Sequence, residues 1–205
     1  MKGECSQCKE PLTLKNASRI VAKTGYGRCR SCENKHTKGR SRTLGGRYTY
    51  GRSQAKFNKH KWELSFQQYA AIVSSGQCFY CGSPLPTAAA GLDRKDNGDY
   101  SWDSVLPCCG KQPRATGPRG CNETKSGDTP PILLFARRWY ERYNKLPTEQ
   151  DFICKVQEYE AQRDAVLEVV SRLSSEEIRT LKRAKSVREG LIELKHKTPL
   201  MPTAC

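Results

Sequence analysis

Cys5-x-x-Cys8 and Cys29-x-x-Cys32 are two tight thiol pairs separated by 20 residues. Each pair presents two soft ligands from one turn, and two such turns complete the tetrahedron that Zn²⁺ prefers. The stretch that holds them is too short for an apolar core, so metal binding would supply its folding energy. A zinc staple with no further role is the plain alternative. A second set opens at Cys78-x-x-Cys81 and can close with Cys109 and Cys121, with Cys108 as a competing ligand. Between its halves lie harder donors. Asp93 and Asn122 both offer oxygen, and a strand–loop–strand–helix unit would bring them together. A divalent cation on only two protein ligands keeps positions open for a phosphate oxygen and water. By themselves, Asp93-Arg94 also reads as an ion pair pinning a turn, and Asn122 as a helix cap.

The elements that must position these residues are legible in outline. Ser65 and Gln68 form a capping box, with Leu64 and Tyr69 as its staple, and Phe66, Tyr69, Ala70, Ile72 and Val73 give one apolar helical face that Gly76 ends. Val105-Leu106 is a short apolar strand, and Asp96-Asn97-Gly98-Asp99 is a run of turn formers. Leu134, Phe135, Trp139 and Tyr140 predict the apolar face of a closing helix, with Arg137, Arg138 and Arg142 on its solvated side. Phe152 to Leu173 keeps helical spacing. Ser174-x-x-Glu177 then starts a second helix running through Ile178, Leu181, Ala184, Val187, Leu191 and Leu194, with Pro199 and Pro202 beyond it. A helical hairpin follows, packed on itself or on the preceding unit; a coiled-coil dimer is the alternative. Cys154 and Cys205 have no evident partner and read as free thiols.

Charge separates the chain into unlike parts. Residues 1–62 carry 16 Lys and Arg against 3 Asp and Glu, whereas the remainder is close to balanced with 20 against 18. No acidic residue occurs from Asn34 to Trp62. Such a localised field favours a polyanion, most simply nucleic acid. Anionic membrane is disfavoured because the basic stretch has no amphipathic apolar face. Within residues 39–62, Arg40, Arg42, Arg47, Arg52, Lys56, Lys59 and Lys61 alternate with Tyr48, Tyr50, Phe57 and Trp62, and Gly39, Gly45, Gly46 and Gly51 suggest flexibility. This predicts an extended arm that follows phosphates and stacks on bases; a solvated linker is the alternative. Mean hydropathy is −0.76. No apolar run is long enough to span a bilayer and no signal-peptide pattern opens the chain, so an intracellular, non-secreted protein is expected. Eleven cysteines in that setting read as metal ligands rather than disulfides.

Taken together, Cys78-Phe79-Tyr80-Cys81-Gly82, Leu92-Asp93-Arg94-Lys95-Asp96-Asn97-Gly98, Asp103-Ser104-Val105-Leu106-Pro107-Cys108-Cys109 and Cys121-Asn122-Glu123-Thr124-Lys125 resemble the HNH (ββα-metal) endonuclease family, in its zinc-stapled phage and mobile-element form. The resemblance covers residues 57–140. It implies that Cys109 rather than Cys108 is a structural zinc ligand. It also implies that Asp93 and Asn122 hold a catalytic Mg²⁺ or similar ion, and that Lys125 adds to the nucleic-acid contacts. Three departures stand out. Arg94 occupies the place of the general-base histidine, Ser104 that of the motif's middle asparagine, and 11 residues, including Lys111, Arg114 and Arg119, separate Cys109 from Cys121 where the family has two. Arg94 stays protonated and is suited to clamping a phosphate. The proton of the attacking water would then go to solvent, substrate phosphate or a carboxylate such as Asp96. His36, His60 and His196 all lie outside the motif.

The expectation is a small zinc-stabilised α+β protein with a four-cysteine, zinc-ribbon-like finger over 1–38, a basic linker over 39–62, an HNH-like ββα-metal domain over 63–145 and a helical hairpin over 146–205. The function it suggests is metal-dependent DNA hydrolysis, of homing or mobile-element type. A catalytically weak or inactive nucleic-acid-binding zinc protein is the rival, with RNA in a ribonucleoprotein as a third reading.

Overall fold

The computed structural model describes residues 3–87, 89–96, 98–110, 120–125 and 129–194. Residues 111–119, which include Lys111, Arg114 and Arg119, lie outside that set, as do Asn97, His196, Pro199, Pro202 and Cys205.

The first cysteine group has its own small core of Cys5, Leu12, Ala17, Val21, Cys29 and Cys32. Two antiparallel bridges, Glu4 to Pro11 and Ala17 to Cys29, close its loops. Helix α1 (Arg19–Thr24) is capped by Ser18 and stopped by Gly25 in the left-handed conformation, φ 80°. Helix α2 (Arg30–Ser41) starts directly after Cys29, which places Cys32 in its first turn.

Residues 44–191 share a second, larger core that joins the linker, the central cysteine region and the C-terminal helices. The extended arm expected over 39–62 is instead mostly helix: α2 runs to Ser41, and α3 (Leu44–Phe57) follows after Thr43 caps the Gly46 amide. Its glycines serve close contact rather than flexibility. A Cβ at Gly51 would stand 2.7 Å from both Ala90 Cβ and Trp62 Cη2, and one at Gly46 would collide with the Arg40 carbonyl. Leu44, Arg47, Gly51 and Ala55 form the buried face of α3, while Arg52 and Lys56, one turn apart, stay exposed.

Helix α4 (Phe66–Ile72) carries the expected Ser65–Gln68 capping box. Strands β1 (Leu92–Arg94) and β2 (Val105–Pro107) form an antiparallel pair with Asp93 opposite Leu106. Helix α5 (Cys121–Thr124) follows, then α6 (Pro131–Tyr143), whose Leu134 and Phe135 are buried while Tyr140 is half exposed. Arg138, expected on the solvated side of α6, is buried: it donates to Thr124 Oγ1 at 2.7 Å and pairs with Glu141.

Helix α7 (Glu149–Ser171) packs against α4. The expected second helix of the hairpin is two: α8 (Ser175–Arg183) and α9 (Val187–Glu193). Ala184 between them is extended, and its carbonyl accepts the Leu44 amide at 2.8 Å, so the break serves the start of α3. Helix α8 packs on α3, and the C-terminal helices therefore pack on the central unit. Cys154 is disulfide-bonded, which corrects its reading as a free thiol.

Arg47 is also removed from the solvent-facing set. It is 6% exposed, and its guanidinium donates to the Pro86 carbonyl at 3.1 Å and the Lys185 carbonyl at 2.8 Å. It ties α3 to the loop after Cys81 and to the α8–α9 junction. Arg47→Ala strands both carbonyls and should cost about 1–3 kcal/mol in urea denaturation. A surface phosphate contact would leave that stability unchanged.

Candidate functional site

The sulfurs of Cys5, Cys8, Cys29 and Cys32 all lie within 4.8 Å of one another, and so do those of Cys78, Cys81, Cys109 and Cys121. Each group can hold a structural zinc ion. In the first, the Cys29 amide donates to Cys5 Sγ at 3.2 Å, and backbone donors, that of Cys8 foremost, hold the Cys5 thiol down at about 6. Burial pushes Cys32 up to about 12. In the second, the Cys121 amide donates to Cys109 Sγ at 3.2 Å, and Cys81 Sγ lies 3.7 Å from Cys109 Sγ. Shared protons hold Cys78 at about 3, through Cys108 first, depress Cys109 and raise Cys81 and Cys121. A dication resolves this arrangement by replacing the shared protons. Cys108 is buried beside the group, its Sγ contacting the Cys109 carbonyl, and stays outside the four.

This second group gathers three chain segments around Asp93. The Asp93 carboxylate is 6% exposed. Its Oδ2 accepts the Tyr80 hydroxyl at 2.6 Å and the Lys125 ammonium at 2.9 Å. Burial raises the Asp93 carboxyl above its ordinary range, and the Tyr80 and Lys125 bonds oppose that rise. Burial, with the Asp93 charge second, pushes the Tyr80 hydroxyl far up, so it stays a donor. Lys125 Nζ also meets the Arg94 carbonyl and lies 3.5 Å from that of Lys95. Carboxylate and carbonyl oxygens thus surround a cation position that the chain's own ammonium fills.

Asn122 is exposed near the start of α5, and no described contact joins it to Asp93. The residue that reaches Asp93 is Lys125, three positions on, where the backbone turns extended at φ −69° and ψ 113°. The Asn122 backbone amide donates to the Cys109 carbonyl at 3.3 Å, which ties the start of α5 to the residues just after β2.

Arg94, next on β1, points to other partners. Its guanidinium donates to the Gly98 carbonyl at 2.8 Å and lies 5.4 Å from the centre of the Tyr100 ring. It also reaches the His60 imidazole, at 2.8 Å from Nε2 and 3.0 Å from Nδ1. Ser104 holds the loop that carries these groups: its hydroxyl donates to Asp99 O at 2.6 Å and accepts the Ser101 amide, while its carbonyl accepts the Lys95 amide. His60 was not among the expected site residues. No periodicity or motif links it to Arg94, because the two are 34 positions apart.

Among the candidate phosphate contacts, Arg40, Arg42, Arg52, Lys56, Lys59 and Lys61 are exposed, and Lys125 and Arg47 are committed inside. Phe57 and Tyr50 stand out among them, 82% and 45% exposed. Among the described residues no helix is long and apolar enough to cross a membrane. Compared with protein-family models, curated proteins and solved structures, the chain matches none.

Three variants have distinct expected outcomes. The two cysteine groups sit in separate cores, so Cys8→Ser should lose one zinc ion and the order of the N-terminal finger only. Cys121→Ser should unfold the main core, with zinc stoichiometry and circular dichroism as readouts. Lys125→Met leaves the Asp93 charge buried and unpaired, and should cost about 3–5 kcal/mol at neutral pH. The raised carboxyl favours the fold while protonated and loses that contribution as pH rises through its folded-state pKa. The Lys125→Met penalty should therefore shrink as pH falls, which denaturation at acidic and neutral pH measures.

Proposed function

We propose that this protein is an HNH-type endonuclease that hydrolyses DNA phosphodiester bonds, with its basic N-terminal half placing it on the duplex. The observation that supports this most is the conjunction at β1: a buried Asp93 and a neighbouring Arg94 on a short antiparallel pair, stapled to α5 by four cysteines. The exposed cations of α2, α3 and the turn after α3 supply phosphate contacts without sequence reading. Phe57 and Tyr50 offer ring faces on which unpaired bases can stack. Arg94 would carry the charge that builds on the scissile phosphate.

The alternative, a nucleic-acid-binding protein that cuts weakly or not at all, is favoured by one observation. Lys125 occupies the cation position on Asp93. An Mg²⁺ ion at Asp93 needs that ammonium to move.

Nicking of supercoiled plasmid by purified protein, with Mg²⁺, with Mn²⁺ and with neither, separates the two. Nicking that needs the added ion and is lost in Asp93→Asn is the expected result. Omitting the ion is preferable to chelation, which would also strip the cysteine groups. Tight, salt-sensitive duplex binding without nicking would establish the alternative.

A further inference from the structure

The histidine absent after Asp93 in sequence is present beside Arg94 in space. We infer that His60 is the proton acceptor for the attacking water, delivered from the end of α3 rather than from β1. This rests on the hydrolytic reading above.

The placement of His60 is built rather than incidental. In the turn after α3, Lys59 takes the left-handed conformation at φ 60°, which a lysine adopts only at a cost. That turn lets the His60 amide bond the Ala55 carbonyl at 2.9 Å. The next residues then zip onto the loop that follows β1. The Lys61 amide donates to Asp99 Oδ1 at 2.7 Å, its carbonyl accepts the Tyr100 amide at 3.0 Å, and the Glu63 amide donates to Tyr100 O at 2.9 Å. Trp62 stacks on Tyr100, ring centres 5.1 Å apart. Four contacts thus fix residues 61–63 against the loop, and His60 just before them faces Arg94 with the Tyr100 ring beside it at 6.4 Å.

The chemistry of the pair follows from what each group can do. One guanidinium nitrogen of Arg94 stands 2.8 Å from Nε2 and 3.0 Å from Nδ1, which places it over the ring and against both nitrogens. An imidazole nitrogen can accept a proton, whereas a guanidinium only donates. A phosphate is a stronger partner for a guanidinium than an imidazole, because the bond is charge-assisted on both sides. Substrate would therefore draw Arg94 onto its phosphate and clear the imidazole. In the reaction, a water oxygen forms a bond to phosphorus while the bond from phosphorus to the leaving sugar oxygen breaks. The water's proton passes to the uncovered His60 nitrogen, and solvent protonates the leaving oxygen. The imidazolium then returns its proton to solvent.

The test compares wild type, His60→Ala and His60→Gln for plasmid nicking, for duplex affinity and for zinc content, with and without added imidazole. Both variants should keep their zinc and bind duplex as wild type does, but nick about 10²-fold more slowly or worse. Imidazole should restore His60→Ala, where it can occupy the vacated space, and not His60→Gln. Nicking by His60→Ala at the wild-type rate overturns the inference while leaving the hydrolytic reading intact. A loss that imidazole does not repair, or that tracks lost affinity, assigns His60 to holding Arg94 and overturns it as well. Wild-type protein that binds and never nicks removes both.

Discussion

Four sulfurs held within 4.8 Å of one another at the edge of an apolar core are the constraint around which the main body is arranged. Thiols at that separation compete for protons and concentrate negative charge, an arrangement that burial makes costly unless a cation sits among them. The cluster joins the turn at Cys78–Cys81, the end of β2 at Cys109 and the start of α5 at Cys121. The β-pair is only three residues on each side and α5 only four, too little for either to persist alone. Their mutual placement therefore depends on the cysteines and on the aromatic layer beneath, where Phe79 packs on Phe135, Phe152 and Tyr159.

Asp93 sits directly on this framework and shows how a buried charge is tolerated. One oxygen takes a hydroxyl and an ammonium, and the same ammonium satisfies backbone carbonyls of the next two residues. The carboxylate, the turn after β1 and the end of α5 are thus one polar unit inside the fold. Arg163 makes a comparable tie further out: it lies 3.9 Å from the Trp102 ring centre and donates to the Trp102 carbonyl, fixing the loop before β2 to α7. The loop bearing the candidate site is consequently braced from the N-terminal side by α3 and the residues after it, and from the C-terminal side by α7.

This bracing explains why the basic segment is structured. An arm that merely followed phosphates would need no buried face. Helix α3 has one, and its Arg47, Gly51 and Ala55 are spent on packing while Arg52 and Lys56 remain outside. The same helix that offers cations to a polyanion delivers His60 to Arg94, so the basic surface and the candidate site are rigidly related.

Patterns that local chemistry enforces were legible in the residues alone. Cys-x-x-Cys turns present two thiols from one tight loop, and two such turns meet with four sulfurs spaced to hold one tetrahedral ion. The capping boxes at Ser65–Gln68 and Ser174–Glu177 form because each satisfies its own backbone amides within four residues. Other features depended on partners far away in the chain. Glycines in α3 read as flexible joints until Trp62 and Ala90 are placed against them. Arg47 and Lys125 read as surface cations until the carbonyls of Pro86 and Lys185 and the carboxylate of Asp93 surround them. His60 has no motif because its meeting with Arg94 is made by a left-handed turn and a zipped loop, not by spacing. Charge and ligand type belong to the sequence; which charge is buried, and which groups face each other, was decided only by tertiary packing, because burial and distance are properties of the folded chain.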